Sequence, residues 1–446
     1  MKPTTTIVDA PGGLPVLGHA WPLLRNPLAY LEALTAHSGL VRVRVGPLSA
    51  LIVCDPELTH QLLVHDRAFD KGGLLLDRVR EVFGNGLGTC PHSEQRRQRR
   101  LVRPAFDRQR LPGYTRAMTG AIRTVTDSWD NGETIDVLKA AQTMSTRALV
   151  AAMFPRLPDG IPVANLLRDL DVISKGIYKR MWMPPLLAQL PIAGNRGFDE
   201  ARTQLRLAVG QIIDDHRADG GAGDDLLSVL VTPAASHPPT DAEVIDQVMT
   251  FFLAGTETVA ATLAWALQSL AENPGIEARM YAEIDHVLNG RAASYDDLAD
   301  LPFTNQVMIE TLRLYPPGWL LSRTATVDSQ LGEHPIKAGT TVFYSPYLIH
   351  RRADLYAEPQ RFDPDRWDRQ TGSGPPPGGL IPFGGGARRC IGDAFGVTEA
   401  VLTLATIATR WRLVPAPGSR VRPSLGLVLN PAKLLMIAKA RSAGSP

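Results

Sequence analysis

Hydrophobic residues recur at helical spacing over most of this chain and alternate with polar residues in a few short stretches. Apolar positions three and four residues apart predict helices along residues 241–273 and from 394 onward, and helices are also predicted at residues 31–36, 56–66, 93–103 and 303–314 and over most of 111–240. Alternating polarity at residues 41–45, followed after a turn by residues 50–53, predicts an antiparallel hairpin; residues 319–323 are predicted to run extended, and the tail after 410 alternates as short strands do. Residues 68–90 are glycine-rich and predicted to be irregular. The pattern predicts a mainly α fold with small β-sheets.

The composition is that of a globular protein with enough apolar material for a large core. The chain has 446 residues, of which 44% are hydrophobic and 21% charged. Lysine and arginine number 47 against 45 acidic residues, so the net charge of +2 argues against a global electrostatic commitment to nucleic acid. No linker, repeat or charge block divides the chain. We therefore predict a single domain over residues 1–446.

The long apolar stretch at residues 241–273 raises the question of a membrane span. Asp246 and Glu257 interrupt it, so an interior helix of a large globular protein explains it better. Residues 1–13 are polar and contain proline, which predicts neither a signal peptide nor an anchor. Three cysteines give no disulfide framework. These features predict a cytoplasmic protein without a membrane span.

Residues 382–392 contain three consecutive glycines, then Arg388, Arg389 and a lone Cys390, and a predicted helix follows directly. A thiol binds a metal as the thiolate, which positive neighbours and the N-terminus of a helix stabilise. Glycines let the backbone approach a flat cofactor closely. The stretch therefore suits a metal-binding thiolate, and the alternative is a structural cysteine after a glycine-rich turn.

Three further segments carry polar residues at helical spacing. Residues 93–103 hold five arginines behind a predicted Ser93 cap, and without interleaved aromatic residues a solvated basic face is the simpler interpretation than a nucleic-acid patch. Residues 254–258 combine small residues with an acid and hydroxyls, which suits either packing or proton transfer. The spacing of Glu310 and Arg313 allows an ion pair, by default an exposed one.

These segments resemble the signatures of the cytochrome P450 family. The run from Phe383 to Gly392 fills every fixed position of the haem-binding pattern Phe-Gly-x-Gly-x-Arg-x-Cys-x-Gly. Residues 254–258 are similar to the oxygen-binding motif, and Glu310-x-x-Arg313 with residues 362–366 resembles the Glu-x-x-Arg and Phe-x-Pro-x-Arg pair. The signatures occur in the family's order across almost the whole chain, so the resemblance implies the cytochrome P450 fold.

The resemblance also implies a cofactor and roles for individual residues. It implies haem b with Cys390 as the thiolate ligand of the iron, and proton delivery to bound dioxygen by Thr258 and Glu257. Gln95 stands where the family has Trp or His, which is a departure. Glu310, Arg313 and Arg366 are implied to form a structural network. Further cofactor contacts are implied for Arg99, Arg323, Arg388, Phe383, Gly392, Ala254 and Gly255.

The implied activity is monooxygenation of a hydrophobic small molecule. No Rossmann or P-loop pattern is present, so electrons are expected from a ferredoxin or flavodoxin with its own NAD(P)H-dependent reductase. Several stretches are similar to bacterial sesquiterpene oxidases, which implies a terpenoid substrate in secondary metabolism; the alternatives are a macrolide, a fatty-acid-like substrate or a non-catalytic haem sensor. Met and Trp at residues 177–187 suit either core packing or a substrate lid. The expected pocket residues are Phe251, Phe252, Met181, Trp319, Leu320 and Leu321.

Overall fold

A computed structural model of the protein describes residues 7–37, 39–154, 161–182, 190, 192–220, 223, 225–231, 239–368 and 374–441. Helices dominate these residues and the sheets are small, which confirms the predicted fold class. The helices, numbered in chain order, are α1 Ala20–Arg25, α2 Pro27–Ala33, α3 Pro56–Val64, α4 Leu74–Phe83, α5 His92–Val102, α6 Leu111–Thr126, α7 Val137–Met153, α8 Val163–Trp182, α9 Ala193–Ala218, α10 Leu226–Val231, α11 Asp241–Glu272, α12 Pro274–Leu288, α13 Pro302–Leu314, α14 Pro346–Ile349 and α15 Asp393–Arg410.

The strands are short and lie mostly in the first and last parts of the chain. They are β1 Val8–Asp9, β2 Leu40–Val45, β3 Leu48–Val53, β4 Phe69–Asp70, β5 Thr134–Asp136, β6 Leu321–Ala325, β7 Ser329–Leu331, β8 His334–Ile336, β9 Thr341–Tyr344, β10 Trp411–Pro415, β11 Arg422–Leu425, β12 Leu429–Ala432 and β13 Leu435–Ala440. The predicted strands after residue 410 are therefore confirmed.

The described chain divides into two compact units. The first consists of Met1–Asp77, Pro91–Ser93 and Leu312–Cys390, and the second of Arg78–Cys90, Glu94–Thr311 and Ile391–Pro446. Helices α4, α5 and α13 each contribute residues to both. The expectation of one domain over residues 1–446 stays a prediction.

The first unit contains the largest sheet, with strand order β1-β2-β3-β9-β6-β4. The predicted hairpin is present as the antiparallel pair β2 and β3, in which Val43 lies opposite Ala50. Gly46 has a positive φ of 55° in its turn, which favours glycine. The buried residues of both strands lie toward the ends away from this turn, whereas the residues next to the turn are exposed.

The second unit is built around α11. Its N-terminus has a capping box, in which the Thr240 hydroxyl accepts from the Glu243 N–H and the Glu243 carboxylate accepts from the Thr240 N–H. It ends at Glu272, just before Pro274 begins α12. This helix is long and apolar enough to cross a membrane, yet 72% of its most apolar window is buried. Core packing accounts for its composition, as the sequence predicted.

The structure corrects three local predictions. Residues 68–90 are not irregular throughout, because they contain β4 and the amphipathic helix α4 between their glycines. Ser93 does not cap α5, which begins one residue earlier at His92, where the Asp70 carboxylate accepts the backbone N–H at 2.8 Å. The helix predicted at residues 31–36 is the end of α2 followed by a 3-10 turn at Leu34–Ala36.

Candidate functional site

The three cysteines differ in accessibility. Cys54 and Cys90 are buried, whereas Cys390 is exposed. Burial raises the pKa of the Cys54 thiol to about 12, which keeps it protonated. Only the Cys390 thiol is therefore presented to a ligand.

A closed loop positions Cys390 within the first unit. The Cys390 N–H donates to the Phe383 carbonyl oxygen at 2.9 Å, which joins the two ends of the glycine segment. Gly386 has a φ of 60°, and a Cβ there would lie 2.1 Å from the Leu63 carbonyl oxygen at the end of α3. Only glycine fits this contact. The glycines thus hold the loop against α3, and the chain then leads from Cys390 into α15.

Arg388 is part of a buried ion pair that sequence reasoning missed. Its guanidinium donates to Asp70 Oδ1 at 2.5 Å, and only 1% of the arginine side chain is exposed. Asp70 Oδ2 accepts the N–H at the start of α5, so one carboxylate connects the cysteine loop, β4 and that helix end. Asp70 and Arg388 are 318 positions apart in the sequence, so no local spacing indicates their contact.

Arg323 is also buried in the first unit, but its charge is not paired within the described part of the chain. It is 4% exposed, donates to the Ser322 carbonyl oxygen at 3.0 Å and lies over the Tyr344 ring at 5.3 Å. No carboxylate of a described residue forms an ion pair with it. A buried guanidinium requires an anion, so this position suits an acidic group of a bound molecule.

Gln95 and Arg99 lie one turn apart on α5, in the second unit. Gln95 is buried and Arg99 is half-buried. The neighbouring Gln98 is buried too and accepts from the amide of Gln247 on α11, whose own oxygen accepts the Leu87 N–H at 3.0 Å. Sequence reasoning missed this glutamine network, because an arginine-rich helix gives no sign of a buried polar face.

Glu257 and Thr258 of α11 form hydrogen bonds with different partners. Thr258 Oγ1 donates to the Ala254 carbonyl oxygen at 2.6 Å, and Ala254 is exposed. Glu257 accepts from Nε2 of Gln142 on α7, at 3.2 Å to each carboxylate oxygen. Burial raises the pKa of Glu257, so its carboxyl group takes up a proton more readily than an exposed one.

Gly255 lies where α11 crosses α7 closely. A Cβ at this position would approach Leu149 Cδ2 to 3.1 Å. Its observed contact is thus helix packing, which the sequence left open as an alternative, and its expected cofactor contact stays a prediction.

The expected structural network is buried. Glu310 and Arg313 on α13 are both 0% exposed, so the default of an exposed ion pair is wrong. Arg313 donates to the carbonyl oxygens of His350, Pro359 and Arg361 at 2.9, 2.7 and 3.0 Å. Arg366 donates to the Glu358 carbonyl oxygen at 3.0 Å. Arg313 and Arg366 therefore both hold the segment at residues 358–361.

The expected substrate residues lie in different environments. Phe251 packs edge-on against Phe106 at 5.1 Å between ring centroids, and Phe252 is 0% exposed beside Phe154. These two rings are core residues of the second unit, so Phe252 has no exposed surface to offer a ligand. In the first unit Trp319 is buried, Leu320 half-buried and Leu321 exposed. Met181 lies in α8, but its side chain falls outside the described residues.

Comparison with known proteins identifies the family. The cytochrome P450 family model matches residues 9–438. This chain belongs to the cytochrome P450 family. The P450 is 40% identical to cyclooctat-9-en-7-ol 5-monooxygenase of Streptomyces melanosporofaciens, over 99% of this chain and 96% of that protein. It is 42% identical to cyclooctatin synthase of the same organism, over 97% and 95%. It is 40% identical to pentalenene oxygenase of Streptomyces avermitilis, over 98% of each.

A solved structure confirms the P450 fold. The heme domain of cytochrome P450DA superposes with a TM-score of 0.88 over 98% of both chains, at 24% identity. The protein is a haem-thiolate monooxygenase that requires a redox partner and acts on a hydrophobic substrate. The residues present fit this cofactor. Within the described ranges no three His, Cys, Asp or Glu side chains form a metal cluster, and haem iron needs only one exposed thiolate from the chain.

Proposed function

We propose that Cys390 is the haem ligand and that the enzyme oxidises a compact terpenoid. The observation that carries the ligand assignment is that Cys390 alone among the three cysteines is exposed. Its loop is closed by the backbone hydrogen bond to Phe383, which fixes the main chain that carries the sulfur. When haem is bound, electron donation from the Cys390 thiolate to the iron would assist cleavage of the O–O bond.

The arginines of the site are proposed to bind the haem propionates. Arg323 has the best support, because its buried charge has no carboxylate partner among the described residues. Arg388 already has Asp70 as a counter-charge, which leaves its donors partly committed. Arg99 and Gln95 complete the proposed contacts from α5. Phe383, Gly392, Ala254 and Gly255 are proposed to face the cofactor, while Glu310, Arg313 and Arg366 support the fold.

Glu257 and Thr258 are proposed to handle protons. One oxygen atom of O₂ enters a C–H bond and the other leaves as water, which consumes two electrons and two protons. Burial raises the pKa of Glu257, so its carboxyl group takes up a proton more readily than an exposed carboxyl group does. The Thr258 hydroxyl donates to its own helix, which leaves its lone pairs available to accept a hydrogen bond.

Electrons are proposed to come from a ferredoxin or flavodoxin with an NAD(P)H-dependent reductase in the cytoplasm. The exposed arginines of α5, Arg96 and Arg100, offer a positive surface for an acidic protein.

The terpenoid assignment is supported by relatives that match almost the full chain. Their names describe oxygenation of pentalenene and of cyclooctat-9-en-7-ol. In this chain the residues proposed to contact the substrate from the first unit, Trp319, Leu320 and Leu321, are apolar. Such a surface suits a hydrocarbon with few polar groups.

Spectral titration of the purified holoenzyme tests the substrate class. Pentalenene and cyclooctat-9-en-7-ol should each displace the water ligand of the iron and shift the Soret band, whereas a macrolide and a long-chain fatty acid should not. Product analysis with a surrogate ferredoxin system should then show an oxygenated terpenoid. A Soret shift with the macrolide or fatty acid alone would overturn the terpenoid assignment while leaving the monooxygenase intact.

A further inference from the structure

Helix α7 approaches α11 at two places on one of its faces. Gln142 contacts the Glu257 carboxylate, and Leu149, seven residues later, lies 3.1 Å from the place where a Cβ at Gly255 would stand. Residues seven apart lie on one side of a helix, two turns from each other. Helix α7 therefore packs along α11 in this region, and the Gln142 amide is directed at the Glu257 carboxylate.

We propose that Gln142 is a positioning residue for proton transfer, whose amide holds the Glu257 carboxyl group in one orientation through both of its protonation states. The inference rests on the proposed proton role of Glu257. It adds a residue outside the recognised motifs, on a different helix and 115 positions away in sequence.

A primary amide is chemically suited to this task. Its NH₂ group donates to an ionised carboxylate, as the two 3.2 Å contacts of Nε2 show. When Glu257 is protonated, its O–H can donate to the amide oxygen after the amide rotates. A methionine in the same place fills similar volume but offers neither a donor nor a strong acceptor.

The other groups that act on Glu257 come from α8. Asp171 raises its pKa, while the Ser174 hydroxyl and Lys175 lower it. Asp171 and Lys175 form an ion pair at 2.7 Å with both side chains largely exposed, so their effects on Glu257 oppose each other. Burial has the largest effect and raises the pKa of Glu257. Among the groups that lower this pKa, the Gln142 hydrogen bond has the largest effect.

The test measures the titration of Glu257 in Gln142→Met by infrared difference spectroscopy of the full-length holoenzyme. The carboxyl band is assigned by its loss in Glu257→Gln. Removing a hydrogen bond to the ionised form should raise the apparent pKa by about one pH unit. Thr143→Val on the same helix is the matched control, because the Thr143 hydroxyl donates to the Lys139 carbonyl oxygen of its own helix.

Steady-state kinetics of the same variants provide the second measurement. Gln142→Met should lower kcat about tenfold with KM unchanged, and the fraction of electrons recovered in product should fall. Should Gln142→Met not fold, Gln142→Glu replaces it, where the second carboxyl group should raise the pKa of Glu257 further. If the Glu257 carboxyl group titrates in either variant with the same apparent pKa as in wild type, the proposal is overturned. This holds even if kcat falls.

Failure of the proposed function is distinguishable from failure of this inference. Full product formation by Glu257→Gln would overturn the proton role of Glu257 and with it the catalytic importance of Gln142. An unshifted carboxyl titration in Gln142→Met overturns the positioning role alone, because that measurement needs no substrate.

Discussion

Glu399 lies on α15 with 0% exposure, and neither carboxyl oxygen has a hydrogen-bond partner within the described ranges. Burial raises its pKa to about 8. The carboxyl group is therefore mostly neutral below about pH 8. Ionising it inside the second unit carries a desolvation cost.

The raised pKa of Glu399 predicts a pH-dependent loss of stability. A folded-state pKa above the unfolded value of 4.5 means that stability is complete below about pH 4.5 and declines until about pH 8. Glu399→Gln mimics the neutral acid and should be more stable than wild type at pH 8.5 by roughly 5 kcal/mol, because a difference of one in pKa between the folded and unfolded states is worth about 1.4 kcal/mol. Urea unfolding of both proteins at pH 5 and 8.5 checks this. If Glu399→Gln and wild type differ in free energy of unfolding by the same amount at both pH values, the predicted pH dependence is wrong.

The Asp70–Arg388 pair makes a second residue-scale prediction. Asp70→Asn leaves the buried Arg388 guanidinium without its counter-charge, so the free energy of unfolding should fall by about 3 kcal/mol and haem content should drop. Asp328→Asn is the control, since Asp328 pairs with Lys337 at 2.7 Å in solvent and its loss should change neither value. Denaturant unfolding and the haem-to-protein absorbance ratio measure the two effects.

Residues with a local signature were predictable, and residues defined by distant partners were not. Cys390 stands inside a constrained ten-residue pattern, so the sequence alone singles it out as the candidate haem ligand. Asp70 and Gln142 meet their partners 318 and 115 positions away, which no spacing rule can detect. The burial of Phe252 also depends on Phe154, a contact between helices that hydrophobicity alone does not distinguish from a pocket wall.

At the scale of elements, the segment after α4 is fixed to α11 by an aspartate. Asp246 accepts from the Asn85 N–H and from Arg206, each at 2.8 Å. Gly86 lies against the same turn of α11, where a Cβ would come within 2.5 Å of the Asp246 carbonyl oxygen. The glycines of this segment therefore permit close backbone contact.

Substitution of Gly86 tests that contact. Gly86→Ala should lower the free energy of unfolding by about 2 kcal/mol, because the backbone of α11 cannot yield as a flexible side chain would. Gly113 on α6 has no atom within 4 Å of an added Cβ, so Gly113→Ala should stabilise the protein by about 0.5 kcal/mol. Chemical denaturation measures both, and equal effects of the two substitutions would contradict the packing argument.

Sequence patterns located the long elements better than the short ones. The helix predicted at residues 241–273 corresponds to α11 at Asp241–Glu272, since capping residues and a proline mark its ends. The helix α4 was missed because flanking glycines outweighed ten amphipathic residues. The start of α5 was misplaced by one residue because its first N–H is accepted by Asp70, 22 positions earlier, rather than by a local cap.

For the whole molecule, the cofactor should contribute to folding stability. The first unit buries Arg323 without a carboxylate among the described residues, and haem propionates are the proposed anions. A ligand at 100 times its dissociation constant stabilises the folded state by about 2.7 kcal/mol. The apoprotein should therefore unfold at a lower temperature than the holoprotein, as calorimetry can measure. Equal unfolding temperatures for the apoprotein and the holoprotein would contradict the prediction that haem binding stabilises the fold.

The architecture of the whole molecule was predictable because family signatures are spread along the chain, and the match over residues 9–438 confirms it. Substrate chemistry was less accessible, since the residues proposed for it are apolar and resemble ordinary core residues. Their role depends on which apolar side chains remain exposed in the folded chain, as Leu321 does and Phe252 does not.

The central claim is that the Cys390 sulfur binds the haem iron, and the carbon monoxide difference spectrum of Cys390→Ser tests it most directly. The reduced wild-type protein should give the red-shifted Soret band of a thiolate-ligated carbonyl complex, and the variant should lose that band. Persistence of the red-shifted band in Cys390→Ser would contradict the assignment, because the sulfur at that position would then not be the ligand.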